Sequence, residues 1–146
     1  MVEVMYLGTQ TRARDDSDYE VWAQLGVNHI TGSPSEPWSE WTVDLLAAYR
    51  EKVNSFGIEL DMVSLPLTPQ AIDSPEAQAG TPNIMLGRSP ERNREIDLIC
   101  DIIRMAGEVG VRALRYNMNL VGILRTDQVR GRGGSLNSAF RWEEAD

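Results

Sequence analysis

The sequence predicts an α/β fold, the front half of a (β/α)8 TIM barrel with about four βα units and parallel strands. One passage recurs three times and carries most of that prediction. A helical segment ends in an apolar residue, a glycine follows, and a β-branched residue opens a strand. The instances are Leu25-Gly26-Val27, Phe56-Gly57-Ile58 and Val109-Gly110-Val111. Glycine tolerates the left-handed backbone that stops a helix, and a β-branched residue suits the strand behind it. Repeated helix–glycine–strand units imply a parallel sheet. A second observation is the polar run Arg115, Tyr116, Asn117 and Asn119 at the end of the last strand, where α/β proteins place their chemistry. The third is size: 146 residues and four units make about half of a barrel that typically takes ~250 residues. A doubly wound sheet is the rival, but no glycine-rich phosphate turn follows the first strand.

The elements follow in order. The first strand is expected over 3–7, then a polar loop with Arg12, Arg14, Asp15 and Asp16, then a short helix over 18–25. The second strand is expected over 27–30. Gly32, Pro34 and Pro37 break the chain after it. A helix over 39–56 lines up Val43, Leu46, Tyr49, Val53 and Phe56 at helical spacing. The third strand, 58–65, stops at Pro66. Residues 67–88 read as a long loop, of a length that is often functional or mobile. The third helix starts with Ser89 as N-cap, Pro90 in its first position and Glu91 at its positive end. Its apolar stripe is read as Ile96, Ile99, Cys100, Ile103 and Ala106. Glu91, Glu95, Asp97 and Asp101 read as a solvated face. The fourth strand is expected over 111–118. Gly131 to Gly134 read as a flexible turn, beside which Arg130 and Arg132 either clamp an anion or offset the acidic chain. Residues 141–146 read as the first turn of a further helix. The expectation is one partial barrel domain over 1–146, truncated at its C-terminus.

Composition narrows the function. A hydrophobic content of 42% and a charged content of 25% are those of an ordinary soluble domain. The net charge of -8 argues against nucleic acid and anionic membrane as partners. Lys52 is the only lysine; the arginines suit bidentate grip on carboxylate or phosphate, although a codon bias gives the same excess. The single Cys100 allows no internal disulfide and suggests a reducing compartment. It reads as a buried structural thiol. No apolar run approaches the ~20 residues of a membrane span, and no basic region precedes an apolar stretch at the N-terminus. A cytoplasmic protein is expected.

Tyr116-Asn117-Met118, followed by Arg125-Thr126-Asp127, resembles the strand-four end of mannonate dehydratases. Those are TIM-barrel lyases of hexuronate breakdown, related in fold to xylose isomerase-like enzymes. Ser64-Leu65-Pro66 looks like the family's Glu-Ser-Val-Pro, and His29-Ile30 with Trp38-Ser39 looks like its His-Ile-Pro and Val-Trp-Ser. The chain departs from the family at Val63, where the glutamate would stand, and at Ile123 and Leu124, which replace Trp and Thr. The resemblance covers only the front part of a family member.

That resemblance implies dehydration of D-mannonate to 2-keto-3-deoxygluconate. The reaction needs a base for the proton beside the carboxylate, an acid for the leaving hydroxide and, in the full-length family, Mn²⁺ or Fe²⁺. The family's metal set of His, Cys, His and Asp lies on later strands. One His and one Cys cannot supply it, so no metal ligand and no catalytic residue is assigned here. The expected substrate-binding residues are His29, Tyr116, Asn117, Arg125 and Asp127, with a small sugar acid as partner. Each has a structural alternative. Arg125 either grips the substrate carboxylate or pairs with Asp127 on the surface. Tyr116 or Asn117, whichever faces inward, either reads a hydroxyl or caps the strand end. His29 either hydrogen-bonds the substrate or transfers a proton, or else makes a structural hydrogen bond. Trp38 and Trp41 cover a barrel rim or stack on a sugar. Two further functions stay open: a xylose isomerase-like isomerase or epimerase, and a non-catalytic half-barrel that self-associates as a homo-oligomer through its open edges.

Overall fold

The computed structural model describes residues 5–67 and 70–145. A four-stranded parallel sheet has the order β1 (Gly8–Thr9), β2 (His29–Gly32), β3 (Glu59–Ser64) and β4 (Ala113–Arg115). Helices α1 (Asp16–Gln24), α2 (Val43–Ser55) and α5 (Glu91–Glu108) fill the crossovers between successive strands. Two short helices, α3 (Pro75–Gln78) and α4 (Pro82–Leu86), precede α5. An antiparallel hairpin of β5 (Thr126–Arg130) and β6 (Leu136–Ala139) follows the sheet.

The three repeated glycines act as the sequence indicates. Gly26, Gly57 and Gly110 all take positive φ, each directly behind the cap of its helix. The first two strands start further toward the C-terminus than expected. The first strand expected over 3–7 falls partly outside the described residues, and the observed β1 is Gly8–Thr9. β2 is His29–Gly32 rather than 27–30, because the amides of Asn28 and His29 are both spent on the Leu7 carbonyl and the ladder begins there.

The sheet has one apolar face, and a bulge keeps it apolar. Ile30 pairs with Leu60 but Thr31 pairs with Met62, so Asp61 is an extra residue in β3. A one-residue insertion reverses which face the following residues occupy. Ile58 and Leu60 before it, and Val63 and Leu65 after it, are therefore all buried. Leu46 and Val53 of α2, Ile102 and Ala106 of α5 and Tyr19 of α1 pack in the same core. The six side chains that are almost wholly buried are Leu46, Val53, Ile58, Leu60, Val63 and Ile102. Each contributes about 1.5–3 kcal/mol on transfer from water. In register on the other face stand Thr31, Met62 and Ala113, then Ser64 and Arg115. All are partly accessible, Met62 at 39%. A closed barrel turns this face inward.

Other expectations are corrected by local bonding. The helix predicted over 39–56 is split: a 3-10 turn at Trp38–Glu40 precedes Thr42, whose hydroxyl caps α2 by accepting from the Leu45 amide at 3.1 Å. The long loop over 67–88 holds α3 and α4, and the buried Thr81 hydroxyl donates to the Pro66 carbonyl at 2.8 Å. Ser89 does not cap α5; Pro90 holds the cap position, with no side-chain bond. Glu95 is not merely solvated, since it accepts from the Ile84 amide at 2.9 Å and from the Asn83 side chain at 2.6 Å, tying α4 to α5. The buried line of α5 is Ile102 and Ala106, flanked by Leu98, Ile99, Met105 and Val109, while Ile96 and Ile103 are more than two-fifths exposed. The fourth strand is Ala113–Arg115, shorter than 111–118, and the glycine turn at 131–134 joins β5 to β6. Trp142–Glu144 form a 3-10 turn; Asp146 lies outside the described residues.

Two substitutions test this packing. Leu46→Ala should destabilise the fold by about 2–5 kcal/mol, measured by denaturant unfolding. Gly32→Ala drives a Cβ into the Tyr49 hydroxyl and should cost about 1–3 kcal/mol. Adding Tyr49→Phe should return part of that loss, and no recovery would place the strain elsewhere.

Candidate functional site

Because β1 to β4 run parallel, their carboxyl ends share one rim. A cleft of about 810 Å³ opens there. The loop after β1 supplies Gln10, Arg12, Arg14, Asp15 and Asp16. Thr31, Ser33, Ser35 and Glu36 come from the end of β2 and beyond, Ser64 from β3 and Arg115 from β4. Tyr19, Trp22, Ile30 and Tyr49 give it an apolar side. The lining is thus rich in hydroxyl, amide and guanidinium donors above an aromatic wall, a combination suited to a small polar ligand.

The cations of the cleft divide into two groups, and among the described residues the Glu36 carboxylate there accepts only from the Ser35 hydroxyl at 3.4 Å. Arg14 donates to both oxygens of Asp18, at 3.1 and 2.8 Å, and Lys52 meets Asp16 at 2.6 Å. Asp15 is occupied as the N-cap of α1, accepting from the Ser17 amide at 2.9 Å. The Arg14 hydrogen bonds hold the Asp18 carboxyl down at about 2. By contrast, Arg12 and Arg115 make no ion pair among the described residues. Arg115 donates to the neutral Gln10 side chain at 2.6 Å. Burial, then the Tyr19 hydroxyl at 3.4 Å, pushes the Tyr49 phenol up, while the charge of Arg12 pulls it the other way.

The five residues expected to bind substrate, His29, Tyr116, Asn117, Arg125 and Asp127, do not line this cleft. His29 opens β2, so it lies at the amino end of the sheet, opposite the rim, and not at a carboxyl strand end. Its Nδ1 is 2.7 Å from Asp61 Oδ2, and the Tyr6 ring packs on it with centroids 4.0 Å apart. These three border a second, polar depression with Glu59 and Arg112. Tyr116 is 60% exposed just past β4, and the Asn117 amide donates to the Leu67 carbonyl at 3.1 Å. Arg125 is exposed and donates to the Leu124 carbonyl at 3.1 Å; it forms no ion pair with Asp127 among the described residues. Trp41 is buried and donates to the Glu36 carbonyl at 3.0 Å, while Trp38 packs against the core. Sequence reasoning missed Arg12 as a site residue. It named Arg115 on the strand without assigning it a role, and its signal was alternation, which places Arg115 on the face opposite Leu114.

Among the described residues, no three of His, Cys, Asp and Glu come together as a metal-holding group. His29 and Cys100 stand on β2 and α5, so the residues present do not fit the Mn²⁺ or Fe²⁺ set that the family resemblance implies. No described helix is long and apolar enough to cross a membrane.

The sequence matches no protein-family model and no curated protein. Among solved structures, the chain is similar to mannonate dehydratase from Streptococcus suis serotype 2, with TM-score 0.71 and 18% identity. The match covers 97% of this chain and 39% of that chain. The chain folds as half of an α/β barrel. The chain spans well under half of that enzyme's length.

The Arg14–Asp18 pair gives a check on the rim. The folded Asp18 carboxyl titrates below its ordinary value, so the pair stabilises the fold at pH above ~4. That contribution fades as pH falls toward about 2. Carboxyl NMR should find the Asp18 midpoint near 2, and Arg14→Gln should raise it toward the ordinary range. A midpoint that ignores the substitution would mean the pair is open in solution.

Proposed function

We propose that the chain is the front part of a cytoplasmic sugar-acid dehydratase of the mannonate dehydratase type, a hydro-lyase of hexuronate breakdown. Its own contribution is one wall of the substrate site, at the carboxyl ends of the first four strands. The observation that carries this reading is the cleft at that rim, in a half-barrel whose fold matches a mannonate dehydratase. Barrel enzymes take substrate at this end.

Dehydration of a 2,3-dihydroxy acid removes the C2 proton and the C3 hydroxyl as one water. The resulting enol becomes a 2-keto-3-deoxy acid. This chain's residues serve that reaction by binding and orientation, which lower the barrier by holding reacting groups in place. Gln10, Thr31, Ser33 and Ser64 offer hydrogen bonds to a polyol chain. The acid, the base and any metal ligands belong to residues beyond this set.

Titration of the protein with D-mannonate, followed by amide NMR, tests the reading. Shifts should concentrate on Gln10 to Asp16, Thr31 to Glu36 and Ser64, with saturation in the millimolar range or tighter. Shifts confined to the depression around His29 would overturn it.

One observation favours a second reading. Among the described residues β1 and β4 are the two edge strands of the sheet, and Tyr6, Leu7 and Tyr116 beside them are each more than half exposed. A second copy supplies the four strands that an eight-stranded barrel needs. On this reading the chain is a self-associating half-barrel, and light scattering should return twice the 16.3 kDa chain mass. A strictly monomeric protein at micromolar concentration would remove it.

A further inference from the structure

We infer that Arg12 and Arg115 form an anion clamp that selects a carboxylate-bearing polyol over a neutral sugar. The inference rests on the sugar-acid reading above and adds which residues impose the charge requirement.

The argument begins from charge matching. In a chain of net charge -8, a guanidinium has many carboxylates to choose from. Arg14, Lys52, Arg50, Arg104 and Arg141 each find one, while the other nine arginines make no ion pair among the described residues; of these nine only Arg12 and Arg115 line the cleft. The cleft carboxylates that stand nearest in sequence are already committed: Asp15 caps α1 and Asp16 meets Lys52. Arg12 and Arg115 line the same cleft and make no ion pair among the described residues. They come from opposite edges of the sheet, Arg12 from the loop after β1 and Arg115 from the end of β4.

The surroundings favour an anion as the missing partner. Arg115 donates to Gln10, a neutral acceptor on the β1 loop, which aims the guanidinium across the rim without neutralising it. The Tyr49 phenol, which shares a hydrogen bond with the Tyr19 hydroxyl, adds a neutral hydroxyl in the same cleft. Planar guanidinium groups match carboxylate oxygens in a bidentate fork. Hydroxyls of Thr31, Ser33 and Ser64 beside them suit a polyol and would be redundant for a bare inorganic anion.

The test uses the whole chain and calorimetric titration with three probes: D-mannonate, neutral D-mannitol and inorganic phosphate. The variants are Arg12→Gln, Arg115→Gln and the control Arg104→Gln, which removes a surface pair with Asp101. Thermal melts establish that each variant is folded. D-mannonate affinity should fall about 10- to 100-fold in each cleft variant, stay unchanged in the control, and recover in part with Arg115→Lys. D-mannitol should bind weakly and equally to all. If wild type binds D-mannonate and the cleft variants bind it as well, the clamp is wrong while the sugar-acid reading stands. If phosphate binds through both arginines and D-mannonate does not, the arginines hold an inorganic anion only, and the clamp for a carboxylate-bearing polyol falls together with the sugar-acid reading. If nothing binds, both fall.

Discussion

The extra residue at Asp61 is the constraint on which the rest of the structure depends. Strict alternation through β3 from Leu60 would bury Met62 and Ser64 and turn Val63 outward. The bulge avoids this, and Leu60 and Val63 are both buried against the helices. The same shift sets the phase of β4, because Val63 pairs with Leu114 and Ser64 with Arg115. Leu114 packs with the core, and Arg115 is left on the open face at the rim. Without the insertion, the arginine would compete with α2 and α5 for the apolar side. Asp61 itself is not idle: it takes the His29 Nδ1 at 2.7 Å and bridges the two strands where their ladder is interrupted. The sole histidine is thereby explained as a strand-to-strand tie at the amino end of the sheet.

Much of the fold was legible because its signals are local. A glycine behind an apolar helix end, followed by a β-branched residue, needs no distant contact to act, and all three instances stop a helix. Parallel order and the half-barrel class follow from that repetition. Boundaries were less legible because they depend on which partner spends an amide first; the Leu7 carbonyl decides where β2 starts. On α5 the period was right and the stripe held at Ile99 and Ala106 but not at Ile96 and Ile103. Ile96 and Ile103 fit a stripe as well as Leu98 and Ile102 do, and only the position of β3 and α2 selects between them. Glu95 looked like one more surface carboxylate until α4 folded back to use it.

The site was less legible than the fold, for a physical reason. Sequence reasoning followed the polar run at the end of β4 forward, to Tyr116, Asn117, Arg125 and Asp127. Chemistry at a barrel rim instead collects from several strand ends at once, and here the cleft draws on all four. Arg12 carries no local mark that separates it from Arg14. They differ only because Asp18, one helical turn into α1, lies within reach of Arg14. Whether an arginine is spent on structure or left for a ligand is decided by that reach, which the order of residues does not display.

The pairing of charges also explains why arginines, rather than helix ends, serve as the anion-facing groups. Helix N-termini at the carboxyl rim of an α/β sheet are common anion sites, since their free amides and dipole favour negative charge. In this chain both nearby starts are occupied from within. Asp15 caps α1, with Asp16 and Asp18 in its first turn, and Thr42 caps α2 with Asp44 behind it. An incoming carboxylate would meet like charge at either helix. Self-capping of this kind stabilises short crossover helices and closes the backbone route to anion binding. The positive groups left over for a ligand are then the two guanidiniums that no carboxylate of the rim has claimed, Arg12 on the first loop and Arg115 on the last strand.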